Sequence, residues 1–248
     1  VPLPELDYLL SDAFVIPDAQ AAQYAPRPLA IGPLYQANDS RREMAAPTSR
    51  REVGLPEDRF VFCCFSNHYK ITPEMFEGWM QILRQVDHGV LWLADDGSGS
   101  DLALRAHAAA AGVAPDRLIF TGRVSPGAYL ARLRLADLFL DTFPYNAGTV
   151  ASDAIRMGVP MVTLSGRSFA SRMAASLLHA IGAQAGVAET QADYVRIAVR
   201  LATDPPALAE FARCFTAERW HAGPGNMERF THDFEQRLLS IQAPLAAS

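Results

Sequence analysis

Lys70 stands out because the basic residues of this chain are overwhelmingly arginine. It follows an apolar run, Arg59–Phe65 (RFVFCCF), in the segment Ser66-Asn67-His68-Tyr69-Lys70. An ammonium just past the carboxyl end of a buried strand can neutralise a diphosphate. In group transfer it would stabilise the charge growing on the leaving group, with Asn67 holding it or touching the same ligand. A second set of candidates lies between Leu135 and Leu164, LADLFLDTFPYNAGTVASDAIRMGVPMVTL. There a strand ending at Asp141 leads through a loop with Pro144, Asn146 and Gly148 into a helix opened by Thr149, Ser152 and Asp153. A strand, a loop and a helix N-terminus form an anion pocket, since free N–H groups and the helix dipole both favour negative charge. Thr149 adds a hydroxyl, and Asp153 can accept two hydrogen bonds from a ribose diol. The same residues are also ordinary turn and helix-start chemistry. The third candidate loop is Thr121–Pro126 (TGRVSP) with Tyr129 and Arg132 behind it. The backbone at Val124 and Ser125 can read a base edge, and Tyr129 or Arg132 can stack on or clamp a ring.

Repeated strand–helix units must position these loops. After Arg59–Phe65 comes a helix over Pro73–Val86, with Thr72 as N-cap and Pro73 in the first helical position. The pattern continues with a strand at Gly89–Leu93, a helix at Asp101–Ala111 and a strand at Arg117–Thr121. A helix at Gly127–Arg134, a strand at Ala136–Asp141, a helix at Thr149–Met157 and a strand at Met161–Leu164 follow. A helix over Phe169–Ile181 is closed by Gly182. Continuous apolar strands alternating with helices predict an α/β fold with a doubly wound, Rossmann-like parallel sheet. Such a sheet binds ligands at the carboxyl ends of its strands, which singles out the loops Ser66–Thr72, Gly122–Gly127 and Thr142–Gly148. The C-terminal part reads as helices over Gln191–Thr203, Pro206–Ala217 and Met227–Gln242.

The chain has 248 residues, half of them apolar and a fifth charged, an ordinary globular balance. A net charge of −5 argues against a nucleic-acid partner. The longest apolar runs are too short to span a bilayer, so no membrane association is expected. Cys63, Cys64 and Cys214 lack CxxC spacing and read as small buried hydrophobes in a reducing, cytoplasmic compartment. The six histidines are scattered without metal-ligand spacing, so no metal is expected. Gly-x-Gly-x-x-Gly, Walker A and Gly-x-Ser-x-Gly patterns are absent, which argues against a dinucleotide-dependent dehydrogenase, an NTPase and an α/β-hydrolase.

Four segments carry a resemblance to a known family: GLPEDRFVFCCFSNHYKITPEMF, HGVLWL, ADLFLDTFPYNAGTVASDAIRMGVPMVT and SFASRMAASLLHAIG. Together they are similar to the C-terminal half of the catalytic region of O-GlcNAc transferases and SPINDLY proteins. The resemblance covers about residues 54–204, and ELDYLLSD at residues 5–12 also looks like the end of that family's N-terminal catalytic lobe. It implies the C-terminal lobe of a GT-B fold and an inverting transfer of N-acetylglucosamine from UDP-GlcNAc to Ser or Thr hydroxyls of proteins. No metal or other cofactor is implied. By the same resemblance Lys70 is the essential lysine at the diphosphate, and Asn67 stands where the animal enzymes have Gln. Thr149 is a phosphate-binding threonine and Asp153 the ribose-binding carboxylate. Arg132 is an arginine on the uracil side, Tyr129 replaces a histidine near the base, and Val124-Ser125 supplies the base-reading backbone. Asn146 and Gly148 belong to the donor loop.

Two departures stand out. The family's His-Thr-Thr at the helix start is Gly148-Thr149-Val150 here, which bears on sugar selectivity. Nearly all of the N-terminal lobe and the helical repeats that usually precede it are missing. The expected organisation is therefore the tail of an N-terminal lobe (1–35), a polar linker (36–57), a UDP-sugar-binding lobe (58–220) and a C-terminal helix packing back on the catalytic region (221–248). On this reading the chain is a piece of a longer protein, inactive alone, with an upstream lobe and repeats as partners. Two alternatives stay open: a GT-B transferase using another sugar nucleotide or a non-protein acceptor, and a nucleotide-binding or interaction module without turnover.

Overall fold

Residues 5–95 and 97–242 are described by a computed structural model. The outer ends of the first and last expected segments, 1–4 and 243–248, lie outside the described residues. Near the N-terminus β1 (Tyr8–Ser11) and β2 (Arg27–Ala30) pair in parallel as a separate two-stranded sheet. The apolar runs that follow become β3 (Phe60–Cys64), β4 (Gly89–Ala94), β5 (Leu118–Thr121), β6 (Leu138–Leu140), β7 (Met161–Leu164) and β8 (Val187–Ala188). These six strands form one sheet in the order β5-β4-β3-β6-β7-β8, with every pairing parallel. Counted from β3 this is the doubly wound order 3-2-1-4-5-6, whose switch point lies between β3 and β6. The central strands β3, β4, β6 and β7 are buried on both faces, with Phe62, Leu91, Trp92 and Phe139 fully enclosed, so their sequences are continuous rather than alternating.

Helices α1 (Pro73–Gln85), α2 (Ser100–Ala110), α3 (Pro126–Leu133), α4 (Thr149–Arg156), α5 (Met173–Ala180) and α6 (Gln191–Thr203) cover the sheet. Thr72 caps α1 as expected, its hydroxyl accepting from the Met75 N–H at 3.2 Å, a contact of about 1 kcal/mol. A buried chain of hydrogen bonds ties α1 and α6 to the end of β6. Trp79 Nε1 donates to the Tyr194 hydroxyl at 3.1 Å, which donates to the Asp141 carbonyl at 2.9 Å. Helices α7 (Pro205–Ala212), α8 (Ala217–Ala222) and α9 (Met227–Gln242) complete the chain.

Three elements differ from the sequence-based reading. The helix expected over Phe169–Ile181 is broken at Arg172. Residues Phe169–Ser171 form a 3₁₀ turn closed by a reciprocal Ser168–Ser171 cap, and α5 starts only at Met173. The helix expected over Pro206–Ala217 is also two helices. It stops at Ala212, and Thr216 opens α8 by accepting from the Arg219 N–H at 3.2 Å. Strand β8 was missed because two residues carry no periodicity.

The polar segment 36–57, whose composition reads as a linker, is fastened along the sheet-bearing lobe. Arg50 donates to the Leu135 carbonyl from Nε and Nη2 and to Asp137 Oδ2 at 2.8 Å. Arg156 Nη2 donates to the carbonyls of Ser40 and Arg42. The N-terminal segment is attached as well: buried Asp12 accepts from the Ser176 hydroxyl of α5 at 2.7 Å.

Candidate functional site

The loops after β3 and β6 leave the sheet on either side of its switch point. In the first, a 3₁₀ turn over His68–Lys70 is held by the Lys70 N–H donating to the Asn67 carbonyl at 3.0 Å. The His68 ring meets Ser100 and the Ala94 carbonyl, so its nitrogens are engaged with the neighbouring β4–α2 connection. Lys70, the single lysine of the chain, reaches across the switch point. Its Nζ donates to the Asn146 carbonyl at 3.1 Å and lies 3.7 Å from the centroid of the Tyr145 ring.

The second loop is braced from below. Asp141 is fully buried at the end of β6. Its Oδ1 accepts from the N–H groups of Thr142 and Ala147, both at 2.8 Å, and its Oδ2 from the Thr163 hydroxyl at 2.7 Å. Burial pushes the Asp141 carboxyl up to about 7, against the pull of these donors and of Lys70. The Asn146 side chain turns into the loop and donates to the carbonyls of Thr142 at 2.8 Å and Leu164 at 3.3 Å. Asn146 is fully buried and lines neither cavity of the site; it acts through its carbonyl, which holds Lys70. Helix α4 then starts at Gly148 without a side-chain cap, so the first N–H groups of the helix lack the partner that Thr72 gives α1.

Two adjoining cavities lie along the carboxyl edge of the sheet, one at the β3 and β6 loops and one over the ends of β4 and β5, with Phe65 and Asn67 lining both. One, of about 460 Å³, is bounded by Lys70, Tyr145, Gly148, Thr149 and Val150, and by Tyr35 and Gln36 from the N-terminal segment. It combines an ammonium with a helix N-terminus, as an anion requires. The other, of about 360 Å³, is bounded by Val124, Tyr129, Arg132, Thr121 and Arg42. Arg132 Nη1 donates to the Thr121 hydroxyl at 2.7 Å, which holds its guanidinium at the cavity wall. The Tyr129 hydroxyl is buried without a partner, and burial pushes it well above the usual phenol range. Tyr129 lines this cavity of nucleoside size, its hydroxyl lying behind the exposed surface. Ser125 caps α3 by accepting from the Ala128 N–H at 3.4 Å. The fold thus draws Lys70, Asn67, Gly148 and Thr149 to one cavity and Val124, Tyr129 and Arg132 to the next. Asp153 lies on α4 one turn beyond Thr149, its carboxylate ion-paired with Arg42.

Several contributors were not found by sequence reasoning. Arg42 sits in a polar stretch with no periodic signal. Tyr145 and Asp141 were read only as loop and strand-end residues. Among the described residues, no group of three or more His, Cys, Asp or Glu is placed to hold a metal, and no helix is long and apolar enough to cross a membrane.

Comparison with known proteins agrees with this geometry. The family model for glycosyl transferase family 41 matches residues 34–234. A probable UDP-N-acetylglucosamine–peptide N-acetylglucosaminyltransferase SEC of Arabidopsis thaliana is 36% identical over 221 residues, which cover 86% of this chain and 23% of that protein. A UDP-N-acetylglucosamine–peptide N-acetylglucosaminyltransferase of Caenorhabditis elegans is 36% identical over 191 residues, covering 77% of this chain and 17% of its own length. The chain thus spans about a fifth of the curated relatives it matches. Among solved structures, a mutant of the Thermobaculum terrenum O-GlcNAc transferase superposes with a TM-score of 0.84 at 28% identity, over 98% of this chain and 46% of that one. With the parallel doubly wound sheet and the paired cavities along its carboxyl edge, these matches establish that the chain belongs to glycosyl transferase family 41, the O-GlcNAc transferase and SPINDLY family, and carries the Rossmann-like C-terminal lobe of its GT-B fold.

Proposed function

We propose that the two cavities bind a UDP-sugar, UDP-GlcNAc in the first instance, as the donor site of an inverting glycosyltransferase. The observation that carries this reading is the cavity shared by Lys70 and the uncapped α4 N-terminus at Gly148 and Thr149. An ammonium and free N–H groups that converge on one space stabilise a diphosphate in the ground state. They stabilise it more as it departs with a full extra charge. The adjoining cavity with Tyr129, Arg132 and the Val124 backbone takes the uracil, and Asp153 takes the ribose. Asn67, at the junction, faces both parts of the donor.

In the whole enzyme a Ser or Thr hydroxyl of a protein acceptor attacks the anomeric carbon and gives up its proton to solvent, the bond between that carbon and the β-phosphate oxygen breaks, and UDP leaves with the bonding pair. The positive charge opposite the leaving group comes from Lys70 and α4, without a metal. An upstream catalytic lobe and helical repeats belong to this reading, since the relatives are several times longer. So does a cytoplasmic location, for which the buried, unpaired Cys63 and Cys64 are the support.

Calorimetric titration of the full-length protein with UDP and UDP-GlcNAc tests the site, and transfer to Ser- or Thr-containing peptides tests the activity. Micromolar UDP binding and peptide glycosylation are the expected results. Absence of nucleotide binding at millimolar UDP overturns the site assignment. Binding without transfer selects the reading of a nucleotide-binding module, and transfer only from another sugar nucleotide or to a non-protein acceptor redirects the specificity.

A further inference from the structure

The segment before the lobe carries one more group into this site. Residues 39–45 run as a strap between α4 and α3. On the α4 side Arg156 donates to the carbonyls of Asp39 at 3.2 Å, Ser40 at 3.3 Å and Arg42 at 2.8 Å. The Arg156 guanidinium is itself seated on the Trp220 ring, 5.2 Å from its centroid. On the α3 side Gly127 allows the strap to lie against the helix. A Cβ there would stand 2.9 Å from the Ala45 nitrogen and 3.2 Å from the Glu43 carbonyl oxygen. Pinned at both edges, the strap holds the Arg42 side chain against Asp153, whose side chain is only 7% exposed.

We propose that Arg42 is a further donor-site residue, a positioning residue that holds the Asp153 carboxylate by one oxygen and leaves the other for a ribose hydroxyl. This rests on the reading of the cavities as a UDP-sugar site. Three observations carry it. The ion pair uses Asp153 Oδ1 alone. Arg42 itself lines the nucleoside-sized cavity together with Tyr129 and Arg132. Its Nε is buried and makes no hydrogen bond, so Asp153 Oδ1 is the acceptor that fixes the guanidinium. An ionised carboxylate accepts from a ribose hydroxyl about twice as strongly as a neutral carboxyl does. Burial pushes the Asp153 carboxyl up, and Arg42, with a smaller contribution from Arg156 on the same helix, pulls it down. The other group facing it is the Tyr129 hydroxyl of α3, neutral at working pH. Without Arg42 the carboxylate protonates at higher pH, and the ribose contact becomes pH-dependent.

The test is calorimetric titration of the full-length protein, wild type, Arg42→Ala and Arg42→Lys, with UDP between pH 5.5 and 8. Thermal melting verifies that each variant is folded. Wild-type affinity is expected to vary little over this range. Arg42→Ala is expected to bind UDP ~10-fold more weakly at pH 7, the equivalent of one lost ion pair, and to weaken further as the pH falls. Arg42→Lys, which restores the charge and not the planar fork, is expected to flatten the pH profile and recover part of the affinity. If Arg42→Ala does not fold, Arg42→Lys carries the test alone, its affinity expected several-fold below wild type. Wild-type affinity and pH profile in the folded Arg42 variants overturn this inference and leave the UDP site standing. Absence of UDP binding by the wild type overturns the site and this inference with it.

Discussion

Lys70 Nζ donates to the carbonyl oxygen of Asn146 at 3.1 Å across the switch point of the sheet, joining residues 76 positions apart. The bond connects the loop after β3 to the loop after β6, the two strands between which the winding direction reverses. Lys70 is therefore held at the crevice by backbone, and its ammonium keeps further protons for a ligand.

The first prediction concerns this lysine. Lys70→Ala in the full-length protein is expected to lower transfer by at least 10²-fold, the scale for loss of a leaving-group stabiliser, with an unchanged melting temperature. Because Lys70 is the single lysine of this chain, reductive ¹³C-methylation of the 248-residue chain gives one lysine signal beside the terminal amine. That signal is expected to shift on adding UDP. A signal that stays in place under saturating UDP would remove Lys70 from the diphosphate site.

Asn146 tests the loop rather than the charge. Its Nδ2 serves the carbonyls of Thr142 and Leu164. Asn146→Ala leaves both buried acceptors unpaired, at a cost of about 1–3 kcal/mol. Chemical denaturation is expected to register that loss, and calorimetry a weaker UDP affinity, because the carbonyl that holds Lys70 is no longer fixed.

Asp141 predicts a pH dependence of stability. Its carboxyl titrates near 7 in the folded protein against an ordinary value of 3.8. Between those values the native state holds a proton that the unfolded chain has released. Its stabilising contribution is complete below about pH 4 and is lost as the pH rises through about 7. Asp141→Asn keeps two acceptor lone pairs for the Thr142 and Ala147 N–H groups and can donate to Thr163. The stability difference between this variant and wild type is expected to move in the variant's favour from pH 5 to 8. Urea denaturation across that range checks it, and a pH-independent difference would refute it.

Gly127 predicts how closely the strap must lie. Its φ is ordinary, yet an added Cβ would meet backbone atoms of Ala45 and Glu43. Gly127→Ala is expected to cost about 1–3 kcal/mol and to weaken UDP binding in the same direction as Arg42→Ala, because the first displaces and the second removes the guanidinium held against Asp153. Unchanged UDP affinity in a folded Gly127→Ala protein would mean that the strap does not bear on the site.

Much of the fold was legible in the chain because its signals are local. Apolar runs, N-caps such as Thr72 and the glycine after a helix report burial and backbone geometry within a few residues. The strands β3 to β7 and helices α1, α6 and α9 lie within a residue or two of where those signals put them, with β6 trimmed at both ends. The anion pocket was legible for the same reason, being a strand, a loop and a helix start in sequence. The breaks at Arg172 and between α7 and α8 were not, because competing short caps at Ser168 and Thr216 outweighed a continuous helical pattern.

By itself, then, the sequence determined a parallel α/β sheet, the loops at its carboxyl edge and the candidate residues on each loop. Only the tertiary structure decided which loops face one another. Strand order is set by which apolar faces pack together, and periodicity records that a face is buried without naming its neighbour. That is why Lys70 against Asn146 emerges only once β3 and β6 are paired. Arg42 against Asp153, 111 residues apart, emerges only once the polar segment is fastened down by Arg156.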